Sequence, residues 1–157
     1  MISNGPEQRK SEFEEKIIRI NRVSKKTKGG NKISFSALAV VGDKKGQVGV
    51  GFGKAPDTVS AIQKSIRLGK RNIFKVSLKG NTIPHEIYIK RGAAKILLKP
   101  APDGTGVIAG GAVRAVVDAA GIKNIVAKIL GTRKKISNIY ATVEALKQLK
   151  GDKNEVK

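Results

Sequence analysis

Few residues in this chain could do chemistry. The only histidine is His85, between Pro84 and Glu86, and there is no cysteine. A two-histidine site, a thiol nucleophile, a disulfide and a Cys-ligated zinc are all excluded. One His beside one acid reads as an ordinary loop or surface histidine. Two glycine-bearing stretches could hold phosphate. Around Gly53-Lys54 the P-loop pattern fails twice: Ala55 stands where Ser or Thr is needed, and Val48 where the first glycine is needed. Gly49-Val50-Gly51-Phe52-Gly53 also misses the dinucleotide pattern, its third glycine coming one residue early. The run Asp103-Gly104-Thr105-Gly106-Val107-Ile108-Ala109-Gly110-Gly111 is the better candidate, because glycine amides ahead of a helix can cradle phosphate. A kinase would also need acids for magnesium and proton transfer. Only Asp103 and Asp118 lie near, and Asp118 falls two turns into the helix. A tight loop packed on a neighbour is the simpler reading, with no enzyme, cofactor or metal.

What remains is charge. The 157 residues carry 32 Lys+Arg against 12 Asp+Glu, a net charge of +20. Such self-repulsion works against compactness unless a partner supplies the counter-charge. Nucleic acid is the expected polyanion, ahead of an anionic membrane. Lysine is a point charge suited to phosphates, whereas arginine forks suit base edges. Most of the basic residues here are lysine, so backbone and shape are the expected targets, as in double-stranded or folded RNA. Aromatics are 4% with no Trp, few for stacking unpaired bases. The longest apolar run, Gly104 to Gly121, is cut by Arg114 and Asp118, and the first residues carry no apolar signal core. A cytoplasmic, soluble protein is expected, with no membrane partner and no small-molecule substrate.

The elements that must position this charge divide near Leu78-Lys79-Gly80-Asn81. Residues 1–12 and 151–157 read as flexible tails, 13–76 and 77–150 as two small two-layer α+β domains. In the first, a strand is expected from about Lys16 to Val23, although Glu12, Glu14 and Glu15 would also suit a helical first turn. Ser24 to Lys32 has no apolar residue and contains Gly29-Gly30, so it reads as an exposed basic loop. Ile33 to Val41 is a strand, Asp43 to Gly46 a turn, and Gln47 to Lys54 a third strand. That strand carries Val48, Val50 and Phe52 on one face and Gly49, Gly51 and Gly53 on the other. Glycine weakens a strand, so three in register need a reason. A helix packed tightly across that face is favoured; close approach of an RNA backbone is the alternative. Asp57 can cap a helix running to about Lys70 or Asn72. Val59, Ile62, Ile66 and Ile73 form its apolar stripe, and Lys64, Arg67, Lys70 and Arg71 its basic face. No acid lies between Asp57 and Glu86, which favours a binding face over a merely solvated one.

The second half reads β-β-β-α-β-α. The expected strands are Ile73 to Leu78, His85 to Lys90 and Ala94 to Leu98. The glycine run then opens a helix buried through Val113, Val116, Val117 and Ala120 and ended by Gly121. Asn124 to Leu130 is a strand. A last helix, capped by Ser137 or Asn138, buries Ile139, Val143 and Leu146. Tyr88 and Tyr140 are expected to be half-buried packing residues.

Several blocks together resemble one family. They are Asn21-Arg22-Val23-Ser24-Lys25, Lys28-Gly29-Gly30, Phe35-Ser36-Ala37-Leu38, Val40-Val41-Gly42-Asp43, Val50-Gly51-Phe52-Gly53-Lys54-Ala55, Ala61-Ile62-Gln63-Lys64 and Gly104 through Val116. In order and over about residues 13–150, they are similar to the bacterial ribosomal protein family that is fifth in the small-subunit series. The resemblance implies a first domain (β-β-β-α) like a double-stranded-RNA-binding domain without its first helix, which favours strand for Lys16–Val23. Lys54-Ala55-Pro56-Asp57 lacks that fold's Lys-Lys pair, so folded rRNA is the expected target rather than a plain duplex. The second domain resembles a β-β-β-α-β-α fold shared with some small-molecule kinases, without implying their activity.

By the same resemblance, the Val23–Lys32 segment reaches toward the head of the subunit near the spectinomycin site, and the first domain lies near the messenger RNA path. The second domain meets the fourth and eighth small-subunit proteins. Gly104 and Arg114 match the surface against the fourth protein that affects decoding accuracy. The expected rRNA contacts are Arg22, Ser24, Lys25, Lys26, Lys28, Gly29, Gly30, Lys32, Lys54, Lys64, Arg67 and Arg71. A double-stranded-RNA-binding module outside the ribosome is the alternative function.

Overall fold

A computed structural model describes residues 13–149. The expected tails, 1–12 and 151–157, lie outside the described residues. The element order is β1 (Glu14–Thr27), β2 (Gly30–Gly42), β3 (Gln47–Ala55), α1 (Thr58–Arg71), β4 (Phe74–Lys75), β5 (Ile87–Arg91), β6 (Ala94–Pro100), β7 (Val107–Ile108), α2 (Gly111–Ala120), β8 (Ile125–Ile129) and α3 (Lys135–Gln148). Two four-stranded sheets result, ordered β1-β2-β3-β4 and β5-β6-β8-β7. The architecture is α+β in two units, as expected; the second follows the order β-β-β-α-β-α, and the first adds β4 after the expected β-β-β-α. The first sheet is antiparallel throughout; in the second only β7 and β8 run parallel.

The triple glycine decides how α1 packs. In register, Gly49, Gly51 and Gly53 lie opposite Val41, Ala39 and Ala37. A Cβ at Gly53 would come 2.6 Å from the Ser65 amide and 2.8 Å from the Ala61 carbonyl oxygen. Helix α1 thus lies on the glycine ridge through its own small residues, Ala61, Ser65 and Gly69, which are its buried positions. This bears out helix packing over RNA approach. It also corrects the stripe: Val59 is 63% exposed, because the helix turns its smallest side chains, not its largest, toward the sheet. Asp57 caps α1 as expected, accepting from the Ser60 amide at 3.1 Å.

Four further expectations are corrected. Ser24 to Lys32 is not a loop; β1 and β2 pair up to Thr27↔Gly30, leaving Lys28-Gly29 as the turn. Ile73 to Leu78 yields only the two-residue β4, and it pairs with β3 in the first sheet. Val107–Ile108 inside the glycine run supplies the third strand of the second unit, held by parallel pairing to β8. Lys134, not Ser137 or Asn138, occupies the N-cap of α3; Asn138 is drawn inside, where its Nδ2 donates to the Thr132 carbonyl at 3.0 Å.

Helices α2 and α3 lie between the sheets. α2 touches β1, β2 and β3 as well as β7, while α3 touches β3, β5 and β6. Leu38, Val40, Val48 and Val50 of the first sheet share one apolar core with Ile96, Leu98, Val113, Val116, Ile125, Ile139 and Leu146. Each such side chain contributes about 1.5–3 kcal/mol by leaving water. The Asp43–Gly46 turn adds a polar clamp. The Lys44 and Gly46 amides donate to the Ala119 and Ala120 carbonyls at 3.0 and 2.9 Å. Gly121 ends α2 at φ +86, and a Cβ there would overlap the Lys44 backbone. Asp43 holds the turn, accepting from the Lys45 and Gln47 amides at 2.7 and 3.1 Å.

Candidate nucleic-acid interface

The ribbon is the feature that presents charge. The last pair joining β2 to β3 is Phe35↔Ala55. Beyond it, β1 and β2 continue as a two-stranded arm, about 17 Å long at the usual rise per residue. No acid occurs from Lys16 to Gly42, and every residue from Ser24 to Ile33 is exposed. Polar and charged side chains keep such an arm from collapsing onto the body, and Thr27 ties its tip by donating to the Gly30 carbonyl at 2.8 Å. Gly30 adopts φ +125, which only glycine takes readily, while Gly29 has open space around it.

The pairing sorts the candidate residues onto two sides. Residues paired across strands share a face. Arg22↔Phe35, Ser24↔Ile33 and Lys26↔Asn31 therefore lie on the α1 side, and Lys25↔Lys32 on the other. Lys54, paired with Ser36, falls on the Lys25–Lys32 side. Arg22, Ser24, Asn31 and Ile33 line a hollow of about 300 Å³. On α1, Lys64, Arg67 and Arg71 are all exposed and fall on one stripe at helical spacing. Lys64 Nζ donates to the Lys54 carbonyl at 3.4 Å, joining helix to strand end. The expected rRNA contacts thus fall on two sides: Arg22, Ser24, Lys26, Lys64, Arg67 and Arg71 on one, Lys25, Lys32 and Lys54 on the other, with Lys28 and Gly29 at the tip.

Glu14, Glu15 and Asp57 already have partners. Glu14 meets Lys44 at 2.8 Å, and its hydrogen bond and charge raise the Lys44 ammonium above its ordinary pKa. Glu15 meets Lys70 at 2.8 Å, which takes Lys70 out of the basic face. Asp57 is held below the usual aspartate range by its hydrogen bonds from Ser60. Sequence reading missed Arg19, Asn21 and Phe52, which the register puts on the Lys54 side. Arg19 Nε donates to Asn21 Oδ1 at 2.8 Å, and Phe52 is 38% exposed. Strand alternation alone, counted from Lys54, was the signal that could have found Phe52.

The glycine run serves structure. Gly104 and Gly106 take φ +92 and +76. Buried Asn124 bridges the loop, accepting from the Gly106 amide at 3.0 Å and donating to Asp103 at 3.2 Å. One of the two acids a kinase would have used is thus engaged in holding the loop. Gly104 is exposed, and so is Arg114 on α2, its Nε 3.7 Å from Asp118. Tyr140 is half-buried under the Arg91 guanidinium, 5.3 Å from the ring centre. Tyr88, expected to be half-buried, is 53% exposed: the sheet face that carries it has no helix over it. His85 is a loop histidine, its Nδ1 2.9 Å from the Glu86 carbonyl. Among the described residues no group of three or more His, Cys, Asp or Glu could hold a metal, and no helix is long and apolar enough to cross a membrane.

Two family models match this chain in tandem. One, ribosomal protein S5, N-terminal domain, matches residues 13–77 and takes in the first sheet and α1. The other, ribosomal protein S5, C-terminal domain, matches residues 89–156, which hold the glycine run. The two matches together span most of the sequence, and the chain belongs to the ribosomal protein S5 family of the small ribosomal subunit.

Proposed function

We propose that this small-subunit constituent holds rRNA with both sides of its ribbon and with the outer stripe of α1, bracing the head of the subunit against its body. The observation that supports this most is the acid-free arm, paired into a stiff hairpin and basic on both sides. Two opposite basic sides suit insertion between RNA segments; a single side would suit lying on one. Lys25, Lys26, Lys28, Lys32, Lys54, Lys64, Arg22, Arg67 and Arg71 neutralise phosphates, Ser24 donates to them, and Gly29-Gly30 let the turn press close to backbone. The units are 13–76 for RNA and 77–150 for protein neighbours.

Gly104 and Arg114 form the surface for the fourth small-subunit protein, and the second unit also meets the eighth. Decoding accuracy is sensitive to the first of these contacts. The messenger RNA path runs near the first unit. The deciding experiment is sedimentation: the intact protein travels with the small subunit through a moderate salt wash, and a protein with Lys25, Lys26, Lys28 and Lys32 changed to Gln is washed off. Retention of that variant at wild-type level sinks the ribbon as the principal rRNA contact.

A further inference from the structure

Two helices begin at one cleft, and neither N-cap residue caps its helix with its own side chain. Gly110 and Lys134, the N-cap residues of α2 and α3, make no side-chain cap bond, and no acid stands in either first turn. The Lys134 amide donates to Thr132 Oγ1 at 3.3 Å; the amides of the first turns that follow each cap lie at the positive ends of two helix dipoles. The cleft, of about 450 Å³, is lined by Gly111 and Ala112 from α2, by Lys135 and Asn138 from α3, and by Gly131 and Arg133 between β8 and α3. Arg133 and Lys135 are exposed cations. No carboxylate lines the cleft.

Asn138 is the independent sign of a ligand. It is 2% exposed and lines this cleft. Its Nδ2 is used on the Thr132 carbonyl, and its Oδ1 has no hydrogen-bond partner. A buried acceptor without a donor is costly, and native folds rarely leave one so. The cleft therefore asks for two things at once: an anion for the amides and cations, and a donor for Oδ1.

We propose that the cleft binds a ribose-phosphate unit, the phosphate at the starts of α2 and α3 between Arg133 and Lys135, and the neighbouring ribose hydroxyl donating to Asn138 Oδ1. A carboxylate supplies the charge but no donor, which is why a phosphate ester beside a hydroxyl fits better. The unit can come from RNA backbone or from a free nucleotide. The site stands on its own geometry, whether or not the ribbon holds rRNA.

The test uses the full chain, labelled with nitrogen-15, at fixed ionic strength. Inorganic phosphate, adenosine 3′-monophosphate and its 2′-deoxy form are titrated while the amides of Gly111, Ala112 and Lys135 and the Asn138 side-chain amide are followed. Saturable shifts at all four are expected, with the ribose form binding about fivefold tighter than the deoxy form. Arg133→Gln weakens binding about tenfold. Gly111→Asp, placed where a Cβ meets open space, supplies an internal carboxylate and abolishes binding without lowering Tm. Should that variant unfold, Arg133→Gln carries the test. A six-residue oligouridylate binding tighter than the mononucleotide assigns the source to RNA backbone, and the reverse order to free nucleotide. The absence of saturable shifts overturns the proposal. So does acetate acting as strongly as phosphate, which would make a protein carboxylate the occupant, or equal affinity for ribose and deoxyribose forms.

Discussion

Gly51 of β3 lies so close to Ser65 of α1 that a Cβ on the glycine would overlap the serine carbonyl oxygen, and the Gly69 amide as well. Backbone meets backbone there, with no side chain able to yield. Gly51→Ala is expected to cost about 3 kcal/mol in urea unfolding, the upper range for overpacking. Gly29→Ala, with nothing within 4 Å of its Cβ, is the control and should stay within about 0.5 kcal/mol. Equal losses at both sites would mean that the tight seat of α1 is not what the glycines provide.

Binding of small-subunit rRNA should weaken steeply with salt, the slope of log affinity against log salt falling by about 0.7–0.9 for each neutralised phosphate. Changing Lys25, Lys26, Lys28 and Lys32 to Gln removes up to four such contacts, and the slope should become shallower by roughly 3. An unchanged slope would show that the ribbon is not where phosphates are neutralised.

Asp57 gives α1 a pH dependence. Its folded-state pKa is depressed by the Ser60 hydrogen bonds. Its stabilising effect is therefore fully present above the ordinary aspartate pKa and is lost as pH falls through the lower folded value. Asp57→Asn keeps the cap and should lose that acid-limb dependence, while Asp57→Ala lowers Tm at neutral pH. Urea midpoints at neutral pH and below pH 4 check both. Parallel acid profiles for wild type and Asp57→Asn would contradict the assignment.

Arg114 pairs with Asp118 only at 3.7 Å and on the surface, where such pairs contribute little to stability. Arg114→Glu should therefore change unfolding free energy by less than about 0.5 kcal/mol yet weaken docking of the fourth small-subunit protein. Miscoding in a reporter assay should rise. Normal assembly with unaltered miscoding would remove Arg114 from the accuracy surface.

The sequence carried the architecture wherever the pattern was local. Asp57, Gly121 and the Gly49-Gly51-Gly53 triplet announced a cap, a stop and a close-packed face, and each does that work. The ribbon was misread because Ser24 to Lys32 has no apolar residue to show alternation; pairing with a partner strand, not burial, keeps it extended. β4 and β7 were misassigned because two-residue strands are defined by their neighbours, β3 and β8, which lie far away in sequence. The start of α3 was placed late because Ser137 and Asn138 are good caps in isolation, while the fold spends Asn138 inside. The division of the basic residues between two sides was invisible until the register of β1 on β2 was known.

The Asp43–Gly46 turn, hydrogen-bonded to the end of α2, carries a mechanical meaning. It leads out of β2, one of the two ribbon strands, and ties that strand to the helix that bears Arg114. The path from the ribbon tip to that arginine runs through sheet, clamp and helix. A sideways force on the tip acts through a lever of about 17 Å and arrives at α2 as torque on the whole body. The molecule is in that sense a strut, and a push on the ribbon is passed on to the surface that carries Arg114.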